Sequence, residues 1–177
     1  YFIANSKLPK KRIKKYYGRN SYVIYPFVET EKFKNVEPKP GKYFLIISRL
    51  IQWKKVDIAV KACAQLQIPL KIIGQGPDLP RLQKIAGPTI EFLGYVQEDE
   101  KLDILSNCKA VINTQYEDFG IVPLEAMASG KAVIAYGFGG VVETVIPGKT
   151  GEFFYKQDVQ TLINLLNYLD RNVIFPL

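Results

Sequence analysis

The chain has 177 residues, 47% apolar and 23% charged, with a formal net charge of +7; the length suits one domain and the composition excludes intrinsic disorder. It contains no histidine, which excludes Ser-His-Asp and Cys-His catalysis, His-ligated zinc or haem, and any unperturbed imidazole acid or base. Its two cysteines, Cys63 and Cys108, are too few for a disulfide scaffold or a zinc site, and read as small buried hydrophobes in a reducing compartment.

No stretch reaches the ~18 to 20 apolar residues of a membrane span. The opening Tyr1-Phe2-Ile3-Ala4-Asn5 lacks an initiator Met and a basic-then-apolar signal pattern, so the chain is expected to be a piece of a longer one. The charge is uneven. Residues 1–59 hold fourteen Lys/Arg against four Asp/Glu, a balance of +10, whereas residues 60–177 hold ten against thirteen, a balance of −3. The densest run is Lys7, Lys10, Lys11, Arg12, Lys14, Lys15 and Arg19. Two readings stand: attraction to an anionic surface, nucleic acid or phospholipid, or the solvated face of a short helix with Ile13, Tyr16 and Tyr17 as a narrow apolar stripe. No RNA-binding aromatic signature or Cys/His finger accompanies the run, which argues against specific nucleic-acid recognition.

Pro26, Pro38, Pro40 and Gly41 punctuate a linker. Short apolar runs then follow at Tyr43–Ser48, Leu70–Ile73, Ile90–Gly94, Ala110–Asn113 and Lys131–Ala135, with Glu152–Tyr155 as a sixth. Apolar runs of this length suit parallel strands buried on both faces. Helices are read between them at Val56–Leu66, Pro80–Ala86, Glu100–Asn107 and Pro123–Ser129, and a last one at Val159–Asp170. This alternation predicts an α/β fold, an open, doubly wound parallel sheet, with too few units for a barrel. With the strand order 3-2-1-4-5-6, the first and fourth strands are neighbours, and the ligand crevice lies beyond their carboxyl ends. Those exits are Ser48-Arg49 and Asn113-Thr114-Gln115.

After the first exit come Arg49, Lys54 and Lys55, cations suited to a diphosphate; alone they would pass for a solvated turn. After the fourth comes Glu117-Asp118-Phe119-Gly120-Ile121-Val122-Pro123-Leu124-Glu125. Gly120 permits a tight turn, Pro123 suits a first helical turn, and the free N–H groups around Gly120–Val122 make a phosphate cradle. Glu125 falls in that first turn, where the dipole alone favours a carboxylate. Glu117 stands beside Asp118, where like charges repel. Gly74-Gln75-Gly76 and Gly137-Phe138-Gly139-Gly140 read as turns near a ligand or an anion-binding nest.

The run from Glu117 through Glu125 to Ala135, then Gly139-Gly140-x-x-Glu143-Thr144-Val145 and Gly148-x-Thr150-Gly151, resembles the C-terminal domain of retaining glycosyltransferases of family 4 (glycosyl transferases group 1, GT-B fold). Glu117 and Glu125 match that family's E-x7-E motif. Ile3-Ala4-Asn5-Ser6, Arg12-Ile13, Tyr16-Tyr17-Gly18 and Val23-Ile24-Tyr25-Pro26 resemble the crossover from the family's N-terminal domain. The resemblance implies residues 1–40 as crossover and linker from a missing N-terminal domain, and 41–177 as the Rossmann-like domain that binds a nucleotide-sugar. It gives Arg49 and Lys54 to the donor diphosphate, Glu117 to hydroxyls of the transferred sugar, the Phe119–Ile121 backbone to sugar and phosphate, and Glu125 to the ribose. The base would lie near Gly94–Val96, including Tyr95 and Val96, with Gly74, Gly76 and Ser48 close by.

Four residues depart from the family pattern. Ser48 and Lys55 stand where glycines are usual, and Lys55 would either shift the turn or add a phosphate contact. Asn113-Thr114 replaces the usual Pro-Ser. No D-x-D occurs, and the resemblance implies catalysis without a metal or other cofactor, with a glycan or lipid-linked acceptor. The segments around Arg49, Glu117 and Lys131 look like the mannosyltransferase branch that builds O-antigen-type polysaccharides, which points to GDP-mannose; UDP-sugars are the alternative. The rival readings are a nucleotide-sugar epimerase or binding-only domain of the same fold and a basic nucleic-acid module. The setting expected is cytoplasmic, at the inner membrane face if the acceptor is lipid-linked.

Overall fold

A computed structural model describes residues 1–33 and 41–172; Pro38 and Pro40 of the linker lie outside them. Six parallel strands build one sheet: β3 (Tyr43–Ile47), β4 (Leu70–Ile73), β5 (Ile90–Gly94), β6 (Cys108–Asn113), β7 (Ala132–Tyr136) and β8 (Gly151–Phe154), in the order β5-β4-β3-β6-β7-β8. This is the expected 3-2-1-4-5-6 arrangement, so the exits of β3 and β6 are neighbours.

The strands read as unbroken apolar runs because both faces are covered. Phe44 and Ile46 of β3, Ala110 and Ile112 of β6, and Ala132 and Ile134 of β7 enter one core. Their neighbours in sequence, Tyr43 and Leu45, Val111, Val133 and Ala135, enter another on the opposite face, joined by Cys108 across a register shift at the start of β6. Helices α2 (Val56–Leu66), α3 (Leu79–Ile85) and α6 (Val159–Asn172) close the first core with Val60, Leu82, Leu162 and Leu166. Helices α4 (Glu98–Ser106) and α5 (Ile121–Ala128) close the second with Leu105 and Ala126. Cys63 and Cys108 lie in different cores, both unpaired and buried, and burial pushes each thiol up to about 12. The reading of both as buried hydrophobes holds.

A separate unit precedes the sheet. Strands β1 (Ile3–Ala4) and β2 (Tyr22–Val23), too short to read from periodicity, pair in parallel around helix α1 (Lys7–Tyr17). The basic run is therefore helical, and its apolar stripe is left largely open: α1 has no buried residue, Tyr16 and Tyr17 are exposed, and the Tyr17 ring lies 5.9 Å from that of Phe2. Within the described residues, no helix is long and apolar enough to cross a membrane.

Leu166 is fully buried between α6 and the sheet. Leu166→Ala should lower unfolding free energy by about 2–5 kcal/mol in urea melts.

Candidate functional site

Two cavities open at the β3 and β6 exits. The larger, about 590 Å³, is lined by Lys54, Glu117, Phe119, Gly120, Ile121 and Val122, with Asn5, Arg12, Pro26, Trp53, Tyr116 and Asp118. The smaller, about 400 Å³, is lined by Ile47, Ser48, Arg49, Ile73, Gly74, Gln75, Tyr95 and Val122. Val122 lines both.

The β3 exit is built first. Leu50 is fully buried and its N–H donates to Gln75 O at 2.8 Å, which fixes the loop. Arg49 is left exposed at the mouth of the smaller cavity and, among the described residues, makes no ion pair. A single 3-10 turn over Gln52–Lys54 follows. It turns Lys54 inward, to 8% exposure, where its ammonium pairs with Glu117 and lies 4.4 Å from the centroid of the Trp53 ring. Lys55 then closes the turn with φ 56°, in the left-handed region, its N–H donating to Gln52 O at 3.1 Å. The turn that a glycine would favour is kept, and Lys55 bears the steric cost of keeping it. Its side chain is exposed and lines neither cavity.

The β6 exit meets this loop through polar bonds. Thr114 Oγ1 donates to Lys54 O at 2.8 Å, and Ser48 Oγ donates to Gln115 Oε1 at 3.2 Å. Asp118 does not share a cation with Glu117. Arg12 of α1 pairs with it at 2.5 Å, and Ser6 Oγ donates to its carbonyl. The two adjacent carboxylates are thus neutralised by cations from two separate segments, Lys54 after β3 and Arg12 in α1. Glu143 takes the N-terminus of α1: Lys7 N–H donates to its carboxylate at 2.9 Å and Tyr25 hydroxyl does so at 2.9 Å. This is a capping carboxylate supplied by tertiary contact. That hydrogen bond raises the Tyr25 phenol above its ordinary pKa.

Gly139 and Gly140 have a packing role. A Cβ on Gly139 would lie 2.5 Å from Glu117 O, and one on Gly140 2.2 Å from Asp118 O. They let two loops touch, and Gly140 N–H donates to Glu117 O at 2.8 Å. Gly74 packs likewise on Ser48 O, and Gly76 on Leu50 O. Gly74 lines the smaller cavity; Gly76 and Val96 line neither. Phe119 is 5% exposed, its ring 5.9 Å from that of Tyr25, so its backbone is the part offered to a ligand.

One expectation is corrected. Gly120, at φ 93°, turns the chain into α5 at Ile121, two residues earlier than Pro123 suggests. Glu125 therefore lies beyond the first turn, and the dipole no longer accounts for its place. Lys101 of α4 holds it instead at 3.3 Å, and Glu125 lines neither cavity. Lys101, Trp53, Tyr116, Glu143 and the Arg12 pair were not visible as site residues in the sequence. The sole signal was the unexplained pair of adjacent carboxylates. Among the described residues no three Cys, Asp or Glu side chains group so as to hold a metal ion.

Residues 27–172 match the glycosyl transferases group 1 family. The chain belongs to that family. It is 31% identical over 173 residues to the uncharacterized glycosyltransferase MJ1069 of Methanocaldococcus jannaschii, covering 85% of this chain and 44% of that protein. It is 44% identical over 77 residues to alpha-1,3/1,6-mannosyltransferase ALG2 of Dictyostelium discoideum, covering 43% of this chain and 18% of that one. The crystal structure of Anabaena Alr3699/HepE in complex with UDP-glucose superposes with a TM-score of 0.84 at 25% identity, over 96% of this chain and 53% of that one. The parallel α/β fold is thus that of GT-B glycosyltransferases. The chain spans less than half the length of both curated relatives.

Lys55→Gly removes the steric cost at φ 56° against the smaller entropic cost of a glycine. It should raise stability by about 1 kcal/mol in denaturant melts.

Proposed function

We propose that this chain is the donor-binding domain of a retaining, metal-independent glycosyltransferase. One observation carries the reading: Lys54, Glu117 and the start of α5 line one cavity, while Ser48, Arg49, Gly74 and Tyr95 line another that shares Val122 with it. Two adjoining cavities, with a cation in each and a helix N-terminus between, suit a nucleotide diphosphate carrying a sugar. The base would lie along Tyr95, the diphosphate between Arg49 and Lys54, and the sugar against Glu117 and the Gly120–Ile121 backbone. Glu125, held by Lys101, would take the ribose hydroxyls.

Transfer breaks the bond between the anomeric carbon and the phosphate oxygen, and the electron pair leaves with the phosphate. The acceptor oxygen bonds to the same face of that carbon, and its proton passes to the leaving phosphate oxygen. This route needs no imidazole. Arg49, Lys54 and the N–H groups that open α5 stabilise the charge on the leaving group. Glu117 orients the sugar. The chain's share of its relatives' length supports a second, N-terminal domain that binds most of the acceptor, with residues 1–40 as the crossover and 41–177 as the donor domain; transfer awaits that partner. The acceptor is a glycan or a lipid-linked glycan. The setting proposed is cytoplasmic, and the exposed Lys10, Lys11, Lys14 and Lys15 of α1 suit the anionic inner face of a membrane.

The mannosyltransferase ALG2 match supports a mannosyl donor such as GDP-mannose; the UDP-glucose complex of HepE supports a UDP-sugar. Calorimetric titration of the chain with GDP-mannose, UDP-glucose and UDP-N-acetylglucosamine decides between them. Arg49→Ala should weaken the preferred ligand about tenfold or more. Absence of binding by all three would overturn the reading. In the complete enzyme, Glu117→Ala should abolish transfer while nucleoside diphosphate still binds, and unchanged turnover would remove Glu117 from its role.

A further inference from the structure

Half of the larger cavity's lining is left over by the donor reading: Asn5, Arg12, Pro26, Trp53, Tyr116 and Asp118. Trp53 is 54% exposed, although it sits beside the deeply buried Lys54. It is not loose. The 3-10 turn that carries it is closed by Lys54 N–H to Ile51 O at 3.0 Å and Lys55 N–H to Gln52 O at 3.1 Å. The ammonium of Lys54 lies over the Trp53 ring at 4.4 Å. Tyr116 is held in the same manner, with the Arg12 guanidinium 5.7 Å from its ring centroid. Two exposed aromatic rings, each braced by a cation, therefore line the same cavity.

We propose that Trp53 and Tyr116 form a binding site for a neutral pyranoside, the sugar ring that presents the acceptor hydroxyl; the assignment to the acceptor rests on the donor reading above. A pyranose has an apolar C–H face and a rim of hydroxyls. The first matches an exposed aromatic face, and the second matches planar side chains that donate and accept in pairs. Asn5 supplies both an amide carbonyl and an amide N–H₂. Asp118 has only Oδ1 bonded among the described residues, to Arg12, which leaves Oδ2 to accept from a sugar hydroxyl. Neutrality follows from the balance of the lining: Arg12 and Lys54 offset Asp118 and Glu117, which leaves no net charge to draw in an ionised ring. Position follows from stereochemistry. Retention brings the attacking hydroxyl to the face that the phosphate leaves, hence beside Lys54, and Trp53 is the ring in contact with Lys54.

The test is saturation-transfer NMR on the 177-residue chain with methyl α-D-mannopyranoside and methyl α-D-glucopyranoside, each with and without UDP or GDP. At least one glycoside should give signal. Trp53→Ala and Tyr116→Ala should each reduce it about fivefold, Trp53→Phe should keep about half of it, and nucleotide affinity in Tyr116→Ala should stay within about twofold. No glycoside signal, or one unchanged in both alanine variants, overturns the proposal even where UDP or GDP binds normally. A Trp53-dependent glycoside signal in a chain that binds neither nucleotide supports the sugar site and instead overturns the donor reading. A signal lost equally in Trp53→Phe overturns the aromatic-platform role.

Discussion

Two carboxylates in succession, Glu117 and Asp118, have to be neutralised for the β6 exit loop to sit where it does. The environments of the two pairs decide what each contributes. Lys54 and Glu117 have side chains 10% and 18% exposed, so both ions are largely desolvated, and loss of one partner strands the other at a cost of about 3–5 kcal/mol. Arg12 and Asp118 are nearly half exposed, and a pair of that kind contributes about 0–1 kcal/mol. The inner pair therefore organises the site, and the outer one directs α1 onto the loop. Because Lys54 comes from the β3 exit and Arg12 from α1, one dipeptide ties three separate segments to one spot.

The sheet makes that convergence possible. A parallel strand order that runs outward in both directions from β3 and β6 leaves their carboxyl ends without a covering crossover. The loops there can approach only where side chains are absent, which is what Gly74, Gly139 and Gly140 provide. The fixed polar bonds from Thr114 to the Lys54 carbonyl and from Ser48 to Gln115 then hold the two exits in register. Glu143 completes the assembly by capping α1 from the far loop. Cations, carboxylates and a helix N-terminus end up on rigid supports, as electrostatic stabilisation of a leaving group requires.

Much of this was legible before any coordinates. The boundaries of α2, β4 and β5 follow directly from apolar runs ended by Gly, Pro or polar residues. Arg49, Lys54, Glu117 and Gly120 were found through the strand-exit argument. The start of α5 was misplaced because Pro123 is a strong local signal and Gly120 a stronger one, through a backbone angle that only glycine adopts cheaply. The dipole reading of Glu125 fails because its partner, Lys101, lies on a different helix, out of reach of any local pattern. Lys55 looked able to shift its turn, and instead adopts the left-handed angle itself.

By itself, the sequence determined the layer architecture, the absence of histidine from this chain and the segment that carries the site; the strand order was the common one for that architecture. These are consequences of hydrophobic period, turn chemistry and composition, which act over a few residues at a time. The tertiary structure alone decided which cation meets which carboxylate, that Trp53 and Tyr116 line the larger cavity, and that Gly76 and Val96 line neither of the two at the strand exits. Those outcomes depend on side chains separated by tens of residues and brought together by the sheet. No local pattern encodes such distances, because an ion pair or an exposed ring depends on which loops the fold sets side by side.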